Sequence, residues 1–187
     1  MLNRRKIIGI TVITALVLGI LTLFLFKTET NKEIRDFDKS KDIEFIQNAF
    51  KRDYYWLVEN PEFSLDFLIE KMSPNKDPEY FGKLNFKILQ KDNKQIGFTT
   101  YFKKKFYEGK IQFVYVDPEF RGKGYAKKLT RYAIEDLFKK GAEIVKLDTR
   151  TTNEPAIKVY QGLGFKETYR IEPQGIVSFE IKKSDYK

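Results

Sequence analysis

The sequence predicts an α/β protein: a mixed α+β sheet flanked by helices, with a parallel strand pair at its centre. Three observations predict it. Between residues 83 and 116 the runs KLNFKILQ, QIGFTTYF and KIQFVYV are rich in β-branched and aromatic residues, and the turn-forming KDNK and Glu108-Gly109 separate them. From Gly124 the apolar period lengthens to that of a helix, and the run EIVKLDT follows it. Strand, loop, helix, strand is a crossover unit, which makes residues 110–116 and 143–149 parallel neighbours joined by a right-handed connection. Finally, FKETYRI and IVSFEIK around Pro173-Gln174-Gly175 read as a closing hairpin.

Taken in order, the chain opens with a basic tail, residues 1–6, carrying Arg4, Arg5 and Lys6. Residues 7–26, IIGITVITALVLGILTLFLF, are twenty positions without a charge. As a helix they rise roughly 30 Å, the depth of bilayer hydrocarbon, and so predict a transmembrane helix. A core helix would carry a more polar face, and FLFKTET offers no small-residue cleavage site for a signal peptide. Residues 27–32 form a polar linker, and residues 33–187 a folded domain.

Within that domain EIRDF predicts a short strand. The run DKSKDIEFIQNAFKRDYYWLV predicts a helix, because Ile43, Ile46, Phe50, Tyr54 and Leu57 recur at helical spacing. SLDFLIEKM predicts a second helix, stopped at Ser73-Pro74, and SPNKDPEYFG a loop. In the helix after Gly124, Ala126, Leu129, Ala133 and Leu137 share one face with Ile134 and Phe138 beside them. Lys127, Lys128, Arg131 and Lys139 take the wet side, and Gly141 stands where a C-cap belongs. Asn153 reads as an N-cap with Pro155 in the first turn, and Gly162 ends that last helix after about Gln161.

Composition limits the chemistry. At 187 residues, 42% hydrophobic and 16% aromatic, the chain can bury a sizeable core. It contains no cysteine and no histidine, which removes disulfides, thiolate metal sites and every histidine-based relay. No metal is expected, and catalysis must rest on carboxylates, tyrosine, lysine, hydroxyls and backbone amides. The formal charge of +9 suits an anionic ligand or surface, and no nucleic-acid motif accompanies it.

The stretch RGKGYAKKL, residues 121–129, is where an anion would be held. It lacks the Gly-Lys-Ser/Thr ending of a phosphate-binding Walker loop, and Lys127 stands where a dinucleotide fingerprint needs its third glycine. A third reading fits: a strand, the Asp117-Pro118 turn, then Arg-Gly-x-Gly-x-Ala opening a helix. Glycines let the backbone approach an anion, exposed N–H groups point at it, and the helix dipole favours negative charge.

Together, VYVDPEFRGKGYAKKL and NEPAIKVYQGLGF resemble the two adjoining acetyl-CoA motifs of the GCN5-related N-acetyltransferase (GNAT) family, and the order of elements agrees from about Glu33 to Lys183. The resemblance implies a GNAT-like acyl-CoA N-acyltransferase fold with acetyl-CoA as co-substrate. It places Arg121, Gly122, Lys123, Gly124, Tyr125 and Ala126 in the loop that binds the coenzyme pyrophosphate. Val114 and Val116 fall on the strand whose backbone pairs with the pantetheine arm, and the Val116 amide would polarise the thioester carbonyl. Asn153 fits a position that touches the cofactor, and Tyr160 fits the general acid that protonates the departing thiolate; core packing is the other reading of Tyr160.

The proton acceptor stays open. Glu108 precedes the central strand but sits in the ordinary turn YEGK, Glu119 lies in the Pro turn, and a water relay would serve equally. The expected activity is transfer of acetyl from acetyl-CoA to a primary amine, of a small molecule or a protein, by direct attack in a ternary complex. The alternative is a non-catalytic, membrane-tethered acyl-CoA-binding module. Five basic residues follow the apolar segment (Lys27, Lys32, Arg35, Lys39, Lys41) against three before it. With the cytosolic supply of acetyl-CoA that the resemblance implies, this gives a single-pass membrane protein with a cytoplasmic domain.

Overall fold

In a computed structural model of the chain, residues 33–58, 64–66, 69, 80–104, 106–172 and 175–187 are described. The elements are β1 (Ile34–Asp36), α1 (Lys39–Leu57), β2 (Tyr80–Lys91), β3 (Lys94–Lys104), β4 (Glu108–Val116), a 3₁₀ turn (Pro118–Phe120), α2 (Tyr125–Lys139), β5 (Ile144–Arg150), α3 (Glu154–Gln161), β6 (Lys166–Ile171) and β7 (Ile176–Lys182). They build a seven-stranded sheet in the order β1-β2-β3-β4-β5-β7-β6. All pairings are antiparallel except β4 with β5, so the expected mixed sheet with a central parallel pair is what forms.

Local chemistry explains the boundaries. Asp92 and Asn93 both adopt positive φ (49° and 62°), the two-residue turn whose twist suits the β2–β3 hairpin. β2 starts at Tyr80, inside the segment expected to be loop, because β3 runs on to Lys104 and offers a partner for Tyr80 and Phe81. Asp38 caps α1 by accepting from the Ser40 amide, and Asn153 caps α3 by accepting from the Ala156 amide. Gly141, at φ 83°, follows the end of α2 as the sequence requires. The expected helix SLDFLIEKM falls largely outside the described residues.

The sheet is covered on both faces. On one, Ile46 and Phe50 of α1 pack on Phe86, Phe98, Phe113 and Tyr115, with the Phe50 and Phe113 rings edge to face at 5.2 Å. Burying a side chain such as Phe50 contributes about 1.5–3 kcal/mol. On the other, Ala133, Ile134 and Leu137 of α2 and Tyr160 of α3 pack on Val145, Leu147 and Phe179. Tyr54, expected on the buried stripe of α1, is 49% exposed. Asp53 has left helical geometry (φ −114°, ψ 29°), and the resulting kink shifts the phase of the residues after it.

One irregularity shapes the centre. Thr100 pairs with Phe113 and Tyr101 with Ile111, which leaves Gln112 as an extra residue in β4. This bulge reverses the facing: Ile111 joins the α2–α3 core, whereas Phe113 and Tyr115 join the α1 core. The β4–β5 ladder covers only Glu108, Gly109 and Lys110 against Ile144, Val145 and Lys146. Beyond it the two strands part.

The membrane placement is corrected. Residues 7–26 lie outside the described residues, and among those described no helix is long and apolar enough to cross a membrane. The single-pass localisation, the tether in the alternative reading and the orientation argued from flanking charge all fall with it.

Candidate active site

The parting of β4 from β5 exposes a strand edge inside the sheet. The Asp117 amide donates to the Ile96 carbonyl at 2.9 Å, and the Phe113 carbonyl accepts from Thr99 Oγ1 at 2.9 Å, so the main-chain groups of 113, 115 and 117 face β3. Strand alternation then turns those of Val114 and Val116 towards β5, where no ladder partner meets them. Two N–H groups and the Val114 carbonyl thus line one side of the split, and the Val116 carbonyl on the same side accepts from Arg121.

The glycine loop closes the mouth of this split. Asp117 accepts from the Glu119 amide and starts the 3₁₀ turn. Gly122 (φ 75°) and Gly124 (φ 82°) follow, both in the left-handed region, and a Cβ added to either would meet nothing within 4 Å. The loop therefore needs glycine for its backbone conformation and stands beside open space. Gly124 is the N-cap of α2 and supplies no side-chain cap. The first-turn amides of α2, at Tyr125, Ala126 and Lys127, accordingly point outward at the positive end of the helix dipole. Tyr125 and Ala126 pack their side chains on the Val116–Leu129 cluster, so they contribute backbone rather than side chains to the loop.

The basic side chains of the loop are engaged elsewhere. Arg121 Nε donates to the Val116 carbonyl at 2.9 Å, and Arg121 Nη2 donates to Asp53 Oδ2 at 3.0 Å. Lys123 Nζ donates to the Glu119 carbonyl at 3.1 Å and lies 5.3 Å from the Phe120 ring. What this loop presents to an anion is a row of amides, with its cations drawn back.

Of the other expected residues, Asn153 and Tyr160 lie on the β5 side and Glu108 on β4 itself. Asn153 donates from Nδ2 to Thr149 Oγ1 at 3.2 Å besides capping α3, so both ends of its amide fasten α3 to β5. Tyr160 is 8% exposed and packs against Phe165 and Phe179 on the α2–α3 face. Glu108 is level with the paired part of β4 and β5, at the far end from the loop, and forms ion pairs with Lys146 (2.6 Å) and Lys104 (3.4 Å). Burial alone would raise its pKa, but the Lys146 hydrogen bond and the two lysine charges hold it below the usual carboxylate range.

No sequence motif marks Asp148. It lies on β5 two residues past the last paired rung, on the face opposite Leu147, where it ion-pairs with Lys110 and accepts from Ser178 Oγ. The alternation of EIVKLDT already put Asp148 and Leu147 on opposite faces; what the sequence lacked was the point at which β4 and β5 separate. Tyr160 thus lies on the α2–α3 face of the sheet and Asp148 on the opposite face. Among the described residues no group of carboxylates is arranged to hold a metal ion.

Known proteins share this architecture. The spermidine N-acetyltransferase of Vibrio cholerae, solved with CoA and spermine, superposes with a TM-score of 0.66 at 21% identity, over 83% of this chain and 99% of that one, which is a likeness of fold. By sequence, N-alpha-acetyltransferase 30 of Schizosaccharomyces pombe is 35% identical over 74 residues, 38% of this chain and 49% of the relative. An uncharacterized N-acetyltransferase of Methanocaldococcus jannaschii is 44% identical over 57 residues, 30% of this chain and 25% of the relative. The matched segments span between a quarter and a half of these relatives' own length. The sequence model of the acetyltransferase (GNAT) family matches residues 43–165, from the first turns of α1 through both lips of the split to the start of β6. The chain belongs to the GNAT family of acetyltransferases.

Proposed function

We propose that the chain is an N-acetyltransferase that moves acetyl from acetyl-CoA to a primary amine by direct attack in a ternary complex. The observation that carries this reading is the open Val114–Val116 edge running into the uncapped amino terminus of α2. An extended amide-bearing chain ending in a pyrophosphate matches both parts: its amides continue the ladder and its anion meets the loop amides.

With the pyrophosphate at residues 121–126, the acyl end lies deeper in the split, between the faces that carry Tyr160 and Asp148. The amine enters protonated and must lose a proton; Asp148, directly or through a water, accepts it. The neutral nitrogen attacks the thioester carbonyl carbon, the Val116 amide polarises the carbonyl oxygen, and the C–S bond breaks as the amide forms. Tyr160 gives its phenolic proton to the departing sulfur, and the surplus proton left on the newly acylated nitrogen passes through solvent to the Tyr160 oxygen, which restores the phenol. Asn153 serves by seating α3, and so Tyr160, against β5.

Tyr160→Phe tests the assignment. Turnover should fall by about 100-fold or more, the range of a lost general acid, while acetyl-CoA affinity stays within about twofold. Unchanged turnover would remove Tyr160 from the mechanism.

A further inference from the structure

Two arginines, one from each lip of the split, converge on the same turn of α1. From the β4 side, Arg121 bridges the Val116 carbonyl and Asp53, the residue at the α1 kink. From the β5 side, Arg150, the last residue of its strand, donates from Nε to the Tyr55 carbonyl at 2.5 Å and from Nη2 to the Val58 carbonyl at 3.1 Å. Its guanidinium also lies 4.0 Å from the Tyr55 ring centroid.

The need for Arg150 is written in α1 itself. The last carbonyls of a helix have no intrahelical partner and favour a cation. α1 has no basic residue in its own last turn, so the positive cap comes from across the split. The contact joins two lips that share no ladder bonds past Lys110 and Lys146. The packing of Phe50 on Phe113 and the Arg121–Asp53 bond together tie the β4 lip to α1, so Arg150 holds the other at a set distance.

We propose that the last turn of α1 is a clasp across the split, with Arg150 and Asp53 as positioning residues that set its width for acyl-CoA. This rests on the acetyl-CoA reading above. The same turn exposes Tyr54, Tyr55 and Trp56 at 49%, 57% and 44%, so an acceptor that touches it changes acyl-CoA affinity, and acyl-CoA changes acceptor affinity by the same factor.

The test is calorimetric titration of acetyl-CoA into the full chain and its variants, with denaturant unfolding in parallel to confirm folding. Asp53→Asn and Arg150→Gln each remove a charged hydrogen-bonding partner and should weaken binding about tenfold. The double variant should also bind about tenfold more weakly than wild type, rather than about a hundredfold, because either change opens the same clasp. Arg150→Lys should recover part of the loss, and KM for acetyl-CoA should rise while kcat at saturation stays within about twofold. If Arg150→Gln does not fold, Tyr55→Leu, which removes the ring beneath the guanidinium, takes its place. Single variants that bind like wild type, or losses that multiply in the double variant, would overturn the clasp. Wild type that fails to bind acetyl-CoA would instead sink the acetyl-CoA reading.

Discussion

Replacing Gly124 by alanine separates capture of the anion by backbone from capture by side chains. Gly124 sits at φ 82° and ψ 1°, and a Cβ there meets no protein atom within 4 Å. The protein therefore feels no clash, only the left-handed backbone, which costs a non-glycine residue about 1–2 kcal/mol. If the loop keeps its shape, the methyl group occupies the space from which an anion approaches the amides. If the loop relaxes, the amides of residues 124–126 turn away. Either outcome should weaken acetyl-CoA binding by about tenfold or more, equivalent to at least about 1.4 kcal/mol. Lys123→Ala is the control. Its ammonium is committed to the Glu119 carbonyl and the Phe120 ring, so its loss should change affinity by less than about threefold, chiefly through screened long-range attraction. Calorimetric titration of both variants with acetyl-CoA at two salt concentrations provides the comparison. If Lys123→Ala weakens binding more than Gly124→Ala does, the backbone account of the loop is wrong.

Other predictions follow from the same geometry. Asp148→Asn should lower kcat by about 100-fold, the range of a lost general base, while Glu108→Gln, away from the split, should stay within about twofold; steady-state kinetics with one amine distinguishes them. Asp42 is fully buried, takes two 2.7 Å bonds from Arg35 and also accepts from the Asp38 amide and Gln95. Asp42→Asn should destabilise the fold by about 3 kcal/mol in urea unfolding, because Arg35 loses its counter-charge. Burial is the largest single influence and would raise the Asp42 pKa, but the hydrogen bonds from Arg35, the Asp38 amide and Gln95, with the Arg35 charge, together outweigh it, so the folded value is depressed. Its stabilisation is therefore present above the unfolded carboxylate pKa of about 3.9 and is lost as pH falls through the lower folded value. The wild-type urea midpoint should drop through that window, and the Asp42→Asn midpoint should drop less.

Where local signals decide structure, the sequence was a good guide. Leu129, Ala133 and Leu137 are buried at helical spacing as their pattern requires, and Asn153 and Gly141 lie where an amide cap and a left-handed backbone are needed. The site was legible as a motif and less so as an arrangement. The Gln112 bulge arises from the register of β4 against β3, which no local pattern reveals, and it lies just past the last β4–β5 rung, where Asp148 stands beyond the ladder and Glu108 within it. Arg121 occupies its motif position, but its guanidinium is turned to Asp53, 68 residues away in the chain. Periodicity alone buried Tyr54; the kink at Asp53 exposes it.

Thiol release decides whether the split joins acetyl-CoA to an amine or merely holds acyl-CoA. The full chain with acetyl-CoA is assayed for free CoA thiol against a panel of small amines, polyamines and peptides with free amino termini. Amine-dependent release with at least one acceptor is expected, accompanied by acetylated product in equal amount and lowered about 100-fold or more by Tyr160→Phe. A chain that binds acetyl-CoA tightly yet releases no thiol with any amine would contradict acetyl transfer and mark the split as a binding module.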